Sequence, residues 1–199
     1  PLVYFKEGIP GYLSVLERPV DILITARPSP SRLGQGKGVT ACISSWMRLA
    51  DNVMPPRVKA IANYQNSRLV STEAEVNGYD FGIILNQQGK VAEAAYACVF
   101  LFRDGVAATP PFSAGILESI TRQSLIALLR DELDISVQER EVERTELYIA
   151  DEVLLCGTAV EVTPVVSVDH YRVGKGRPGP ITRRLTSLMK EMVRGENSR

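Results

Sequence analysis

The sequence predicts a mixed α and β fold, a compact β region packed by helices, on three observations. Short apolar runs between residues 81 and 109 are separated by the turn pairs Gln88-Gly89 and Asp104-Gly105, the pattern of successive hairpins. Ile120, Leu125, Leu128 and Leu129 recur at helical spacing within Ser119 to Asp131. Pro180 opens a final stretch to about Val193 and suits the first position of a helix.

Taken in order, Val20 to Thr25 is a β-prone run followed by Arg27-Pro28-Ser29-Pro30-Ser31 and Gly34-Gln35-Gly36-Lys37-Gly38. The proline and glycine content marks residues 27–38 as a linker and a domain boundary. Val39 to Trp46 is a second strand, and Pro55-Pro56 stops regular structure shortly before Lys59. Asn63 is placed to cap a helix that Gly78 ends. Strands are expected at 81–85, 91–95, 99–103 and 106–109, then the helix over 119–131, with Ser119 or Thr121 serving its N-terminus. A short strand at 135–138, a helix at 143–150 and strands at 152–155 and 159–168 complete the pattern before the last helix.

Twenty-three basic residues balance 23 acidic ones among 199, so no net field gathers nucleic acid or an anionic membrane. The expected partners are small molecules and further copies of the chain. Cys42, Cys98 and Cys156 are odd in number and lack metal-ligand spacing, which argues against a disulfide framework and a zinc site. The longest apolar run, residues 94–102, is far too short to span a bilayer, and the expected location is the cytoplasm. The chain opens on Pro1-Leu2-Val3-Tyr4-Phe5, which reads as the middle of a strand.

Lysine is scarce, six residues against seventeen arginines, and Lys59 alone is flanked by apolar residues, in Val58-Lys59-Ala60-Ile61-Ala62. Desolvation and a following helix N-terminus would favour a neutral, nucleophilic amine; equally, the stem packs while the head reaches water. Glu93 interrupts an apolar stretch and is either a solvated edge residue or an acid needed inside. Ile120-Thr121-Arg122 at a helix start and Gly157-Thr158-Ala159 between strands have the donors for anion binding, and both also read as ordinary caps and turns. His170 beside Asp169 reads as a surface residue.

The ordered series V-K-A-I-A-N-Y-Q-N-S, G-Y-D-F-G-I-I-L-N, V-A-E, F-R-D-G-V, T-P-P-F, I-L-E-S-I-T-R, E-L-Y-I-A-D-E-V, C-G-T-A-V-E-V-T-P-V and G-P-I-T-R-R-L resembles the class IV aminotransferases, most closely the branched-chain amino-acid type, from about residue 1 to residue 187. The resemblance implies a fold-type IV pyridoxal-phosphate enzyme of the D-amino-acid aminotransferase-like fold, with the strands of its large domain in a pseudo-barrel packed by helices. It implies a remnant of a small domain at 1–26, most of that domain being absent, an interdomain loop at 27–38 and the large cofactor-binding domain at 39–199. A homodimer or larger homo-oligomer is expected.

By motif match, the resemblance makes Lys59 the residue that binds pyridoxal phosphate as a Schiff base and shuttles the proton in catalysis. Tyr64 would hydrogen-bond the pyridine 3-oxygen, and Glu93 would sit against the pyridine nitrogen. Leu117 would pack on the ring, and Ile120, Thr121 and Thr158 would hold the phosphate. Thr158 and Ala159 would receive the substrate carboxylate. The implied reaction is ping-pong transamination of leucine, isoleucine and valine with 2-oxoglutarate.

Departures from the family pattern fall at Ala94-Ala95-Tyr96-Ala97-Cys98, where Tyr96 would reshape the substrate pocket, and at Glu118-Ser119, where a carboxylate replaces the usual Pro-Gly and is expected to point outward. The small domain's phosphate-binding arginine has no counterpart here. Relatives acting on D-amino acids or amines, aminodeoxychorismate lyase, and a truncated non-catalytic homologue are the alternatives.

Overall fold

A computed structural model describes residues 1–6, 19–31, 33 and 36–195. The chain divides into two compact units, residues 1–31 and 32–199. In the first unit, β1 (Leu2–Phe5) pairs antiparallel with β2 (Val20–Leu23). Arg32, Gly34 and Gln35 of the anticipated linker, and residues 7–18 of the anticipated small-domain remnant, lie outside the described residues.

The second unit is built on a nine-stranded sheet. Its strands are β3 (Val39–Met47), β4 (Phe81–Leu85), β5 (Val91–Ala94), β6 (Cys98–Arg103), β7 (Val106–Thr109), β8 (Val137–Glu139), β9 (Glu152–Gly157), β10 (Glu161–Val168) and β11 (Tyr171–Arg172). They run in the order β5-β4-β3-β10-β9-β6-β7-β8, with β11 also on β10. The β3–β10, β3–β4 and β7–β8 pairs are parallel and the others antiparallel.

The sheet curls back on itself. Ala94 N donates to Ala97 O at 2.8 Å across a tight turn at Ala95-Tyr96, which joins β5 to β6 and closes a ring of six strands. Farther along, Val91 N donates to Val142 O at 2.8 Å, so the segment after β8 also returns to β5. This curled sheet is the expected pseudo-barrel.

Alternation along the strands separates two cores. Val99 and Leu101 join Ile83, Val153, Leu155 and Val165 in one cluster, while Cys98, Phe100, Phe102, Leu154 and Cys156 face the helices in the other. Helix α2 (Ile120–Asp131) covers that second face with Leu125, Ile126, Leu128 and Leu129, and α4 (Pro180–Val193) with Leu185, Leu188 and Met189. Helix α1 (Tyr64–Val76) packs Val70 against Ile84 and Ala92 in a third cluster. A Cβ on Gly82 would stand 2.5 Å from Val70 Cγ1 and 2.9 Å from Val70 O, so only glycine admits α1 this close to β4.

The hairpin between β6 and β7 turns at Asp104 and Gly105 with φ of 51° and 77°, the paired positive values of a type I′ turn. Gly78, at φ 77°, follows the Asn77 C-cap of α1. Element bounds depart from expectation modestly. The helix anticipated at 143–150 is the single turn α3 (Glu146–Ile149), and β11 is an addition to the expected strands.

Asn63 corrects an expectation. It does not cap α1; its amide Nδ2 turns backward and donates to Pro55 O and Val58 O, each at 2.9 Å. A short 3-10 turn at Ile61–Asn63 precedes α1 and leaves its side chain nearer the incoming loop than the helix N–H groups.

Candidate functional site

The tight turn that closes the strand ring carries the centre of the candidate site. Glu93, opposite Ile84 in the β4–β5 ladder, is 7% exposed. Its Oε1 meets Arg48 Nη2 at 3.0 Å, and its Oε2 accepts from Leu117 N at 3.0 Å. Burial pushes the Glu93 carboxyl up, while Arg48 and the Leu117 N–H pull it back. Both oxygens accept from N–H donors, the arrangement suited to an ionised carboxylate, and lone pairs are left for a further donor. Of the two sequence readings of Glu93, the inside one holds.

Sequence reasoning misses Arg48. It follows β3, where its own N donates to Leu85 O at 2.8 Å, and its Nε donates to Gly115 O at 2.8 Å. Gly115 adopts φ 84°, in the left-handed region, and turns the chain from the 3-10 turn Phe112–Ala114 toward Leu117. A visible signal exists: an arginine ending an apolar strand requires a buried partner or solvent.

The rings of Tyr64 and Tyr96 stack with centroids 6.0 Å apart and planes within 16°. A Cβ on Gly157 would sit 3.4 Å from Tyr96 O, which places the β9 end beside the β5–β6 turn. Tyr64, Tyr96 and the Gly157 turn form one set of contacts, and Glu93, Arg48 and Leu117 another, with Tyr96 three residues beyond Glu93 along the chain. Thr158 and Ala159 are exposed in that turn.

At the α2 start, Ser119 rather than Thr121 is the cap: its Oγ accepts from Arg122 N at 3.3 Å. Thr121 is buried, whereas Ile120 is 83% exposed. The N–H groups of Ile120 and Thr121 have no acceptor among the described residues, so the first turn of α2 offers two donors to an anion. Glu118 is solvent-exposed as expected and pairs with Arg57 Nε at 3.3 Å.

Lys59 is exposed, ahead of α1, and its neighbours Val58 and Ile61 are exposed as well. Of the two readings of Lys59, the described unit fits the one in which the amine reaches water. Asn63 nevertheless fixes the backbone beside it by holding the Val58 carbonyl. His170 is exposed, at φ 66°, and its ring lies tilted against that of Tyr79 with centroids 4.8 Å apart. Among the described residues no three metal-ligating side chains gather, and no helix is long and apolar enough to cross a membrane.

The family model for amino-transferase class IV matches residues 6–168. The chain belongs to the class IV aminotransferases. A probable branched-chain-amino-acid aminotransferase of Aquifex aeolicus is 43% identical over the whole chain, which spans 64% of that relative. The branched-chain amino acid aminotransferase of Thermobaculum terrenum, solved in its PLP form, superposes with a TM-score of 0.94 at 47% identity, over 98% of this chain and 63% of that one. The branched-chain aminotransferase of Thermoproteus uzoniensis, solved with norvaline, gives a TM-score of 0.92 at 36% identity, over 98% of this chain and 64% of that one. The chain thus spans less than two thirds of the length of these relatives.

The residues present fit the class IV cofactor. A buried carboxylate with lone pairs left for a pyridinium, two helix N–H groups for a phosphate, and an accessible lysine amine occur together in one unit.

Proposed function

We propose that this chain carries the cofactor-binding part of a pyridoxal-phosphate-dependent branched-chain amino-acid aminotransferase. The buried Glu93, clamped by Arg48 and Leu117, carries the reading. Beyond its two N–H donors, this buried carboxylate keeps lone pairs that a protonated ring nitrogen could use. Bound pyridoxal phosphate supplies an electron sink for charge developing at the substrate α-carbon.

The roles follow from donors and acceptors. Lys59 would hold the cofactor covalently through Nζ and, as a free amine, would carry the proton taken from the substrate α-carbon. Tyr64 would donate its hydroxyl to the pyridine 3-oxygen, and Glu93 would keep the pyridine nitrogen protonated. Leu117 would pack on the ring. The Ile120 and Thr121 N–H groups and the Thr158 hydroxyl would hold the phosphate, while the N–H groups of Thr158 and Ala159 would take the substrate carboxylate. Tyr96 borders the substrate side.

The reaction is a ping-pong transfer of the amino group of leucine, isoleucine or valine to 2-oxoglutarate. The names of the relatives support the donor class, as does the norvaline, an aliphatic amino acid, present with one of them. Residues 39–199 form the large domain, 27–38 the interdomain loop and 1–26 the end of the small domain. Exposed Trp46, Met47, Val58, Ile61 and Leu69 support a homodimer or larger assembly, and the location proposed for it is the cytoplasm.

The full-length protein mixed with pyridoxal phosphate should develop the near-visible absorbance of a covalently held cofactor, and Lys59→Ala should abolish it. Persistence of the band in that variant overturns the lysine assignment. A panel of amino donors tests the substrate class: activity confined to D-amino acids or simple amines overturns the branched-chain reading.

A further inference from the structure

The contacts of Arg48 form a closed circuit that none of the roles above uses. Arg48 Nη2 meets Glu93 Oε1, Glu93 Oε2 accepts from Leu117 N, and Leu117 leads back through Ile116 to Gly115, whose carbonyl accepts from Arg48 Nε. The arginine and glutamate side chains are 5% and 9% exposed. Two separate elements, the end of β3 and the loop before α2, are thereby tied to one carboxylate.

We infer that Arg48 is a positioning residue: it holds Glu93 charged and aimed, and it fixes the loop that presents Leu117. The inference rests on the cofactor reading above. Of the elements around Glu93, β4 presents Ile84, the loop presents the Leu117 N–H, and the end of β3 presents Arg48. No other charged side chain ion-pairs with Glu93 among the described residues. Burial opposes the charge on Glu93, and Arg48 opposes burial.

The chemical consequence concerns one proton shared between two bases. With Arg48 present the carboxylate is the weaker base, and the proton stays on the pyridine nitrogen. Without the guanidinium, the buried carboxylate takes that proton and the ring loses its positive charge. The geometry also specifies arginine over lysine, since two guanidinium nitrogens serve two acceptors in different directions.

The test uses the full-length protein loaded with pyridoxal phosphate labelled with 15N in the ring. Wild type should show the shift of a protonated pyridine nitrogen, and Arg48→Met the shift of an unprotonated one, with kcat lower by on the order of tenfold or more and KM moved less. Arg48→Lys should restore protonation in part. Since Arg48→Met leaves a buried unpaired acid and is liable to fold poorly, the double variant Arg48→Met with Glu93→Gln keeps the test open. Cofactor affinity in the double variant should match that of Glu93→Gln alone. Additive losses, or a protonated ring in Arg48→Met, overturn the inference. A wild-type protein that takes up no cofactor overturns the underlying function instead.

Discussion

Glu152 shows how one buried acid serves a helix instead of a reaction. Its carboxylate accepts from Ile181 N at 3.0 Å, Thr182 N at 2.8 Å and Thr182 Oγ1 at 2.6 Å, capping α4 from the neighbouring strand. The helix begins with Gly179 and Pro180 and has no side-chain cap of its own, so Glu152 supplies what the sequence around it lacks. Glu152→Ala should lower stability by about 2–4 kcal/mol, read from urea unfolding, because charge-assisted bonds are lost and buried donors stay unpaired. Glu152→Gln should cost less, since one amide oxygen still accepts. Gly179→Ala should also destabilise, as its Cβ would lie 2.0 Å from Glu152 Cδ. Equal stability of Glu152→Ala and wild type would refute the capping role. At this scale the sequence is legible in residue type but not in partner. Glu93 stands out as an acid in an apolar run, whereas its counter-ion Arg48 follows another strand, and pairing across the fold leaves no periodic trace. Asn63 departs from expectation for the same reason: asparagine before a helix predicts a cap, and only the loop's path makes the backward bonds available.

Elements are more legible than their contacts, because alternation and helical spacing are properties of neighbouring residues. The 81–109 hairpins and the helices α2 and α4 follow from pattern, while the two-residue β11 is too short to leave one. Close packing supplies a prediction of its own. Gly82→Ala should push α1 off β4 and cost about 1–3 kcal/mol in thermal or urea unfolding, since the nearest atoms include the Val70 backbone oxygen, which cannot rotate away. The single turn α3 depends on an ion pair. Glu146 receives Arg140 Nη1 at 2.9 Å and Nη2 at 2.6 Å, and also accepts from Glu143 N at 2.9 Å. The Arg140 hydrogen bond holds the Glu146 carboxyl below its ordinary value of 4.5, so the unfolded chain takes up the proton first as pH falls. The stabilisation is therefore complete above the ordinary glutamate range and is lost as pH drops through the depressed folded value. Urea unfolding of wild type and Glu146→Gln, followed from neutral pH into acid, should show wild type the more stable near neutrality and a gap that closes toward the acid end. A gap independent of pH would remove the ion pair from the stability of α3.

At the scale of the whole unit, the candidate site is assembled from pieces that no single element contains. Lys59 precedes α1, Glu93 lies near the end of β5, Thr121 opens α2, and Thr158 follows β9. Only the curled sheet brings β5, β6 and β9 together, and in the unfolded chain these groups are dispersed. A ligand that engages all four binds the folded state alone and stabilises it by mass action. At about 100 times its dissociation constant, pyridoxal phosphate should contribute about 2.7 kcal/mol. For a domain of this size that corresponds to a rise in Tm of roughly 5–10 °C. Lys59→Ala should retain a smaller shift, because the phosphate and ring contacts survive without the covalent bond. Thr158→Ala should reduce the shift by removing the hydroxyl proposed for the phosphate while leaving the covalent absorbance in place at saturating cofactor. If Lys59→Ala and Thr158→Ala both melt with the full wild-type shift, the cofactor is held elsewhere. If only the lysine variant changes, the anion is bound by donors other than the Thr158 hydroxyl.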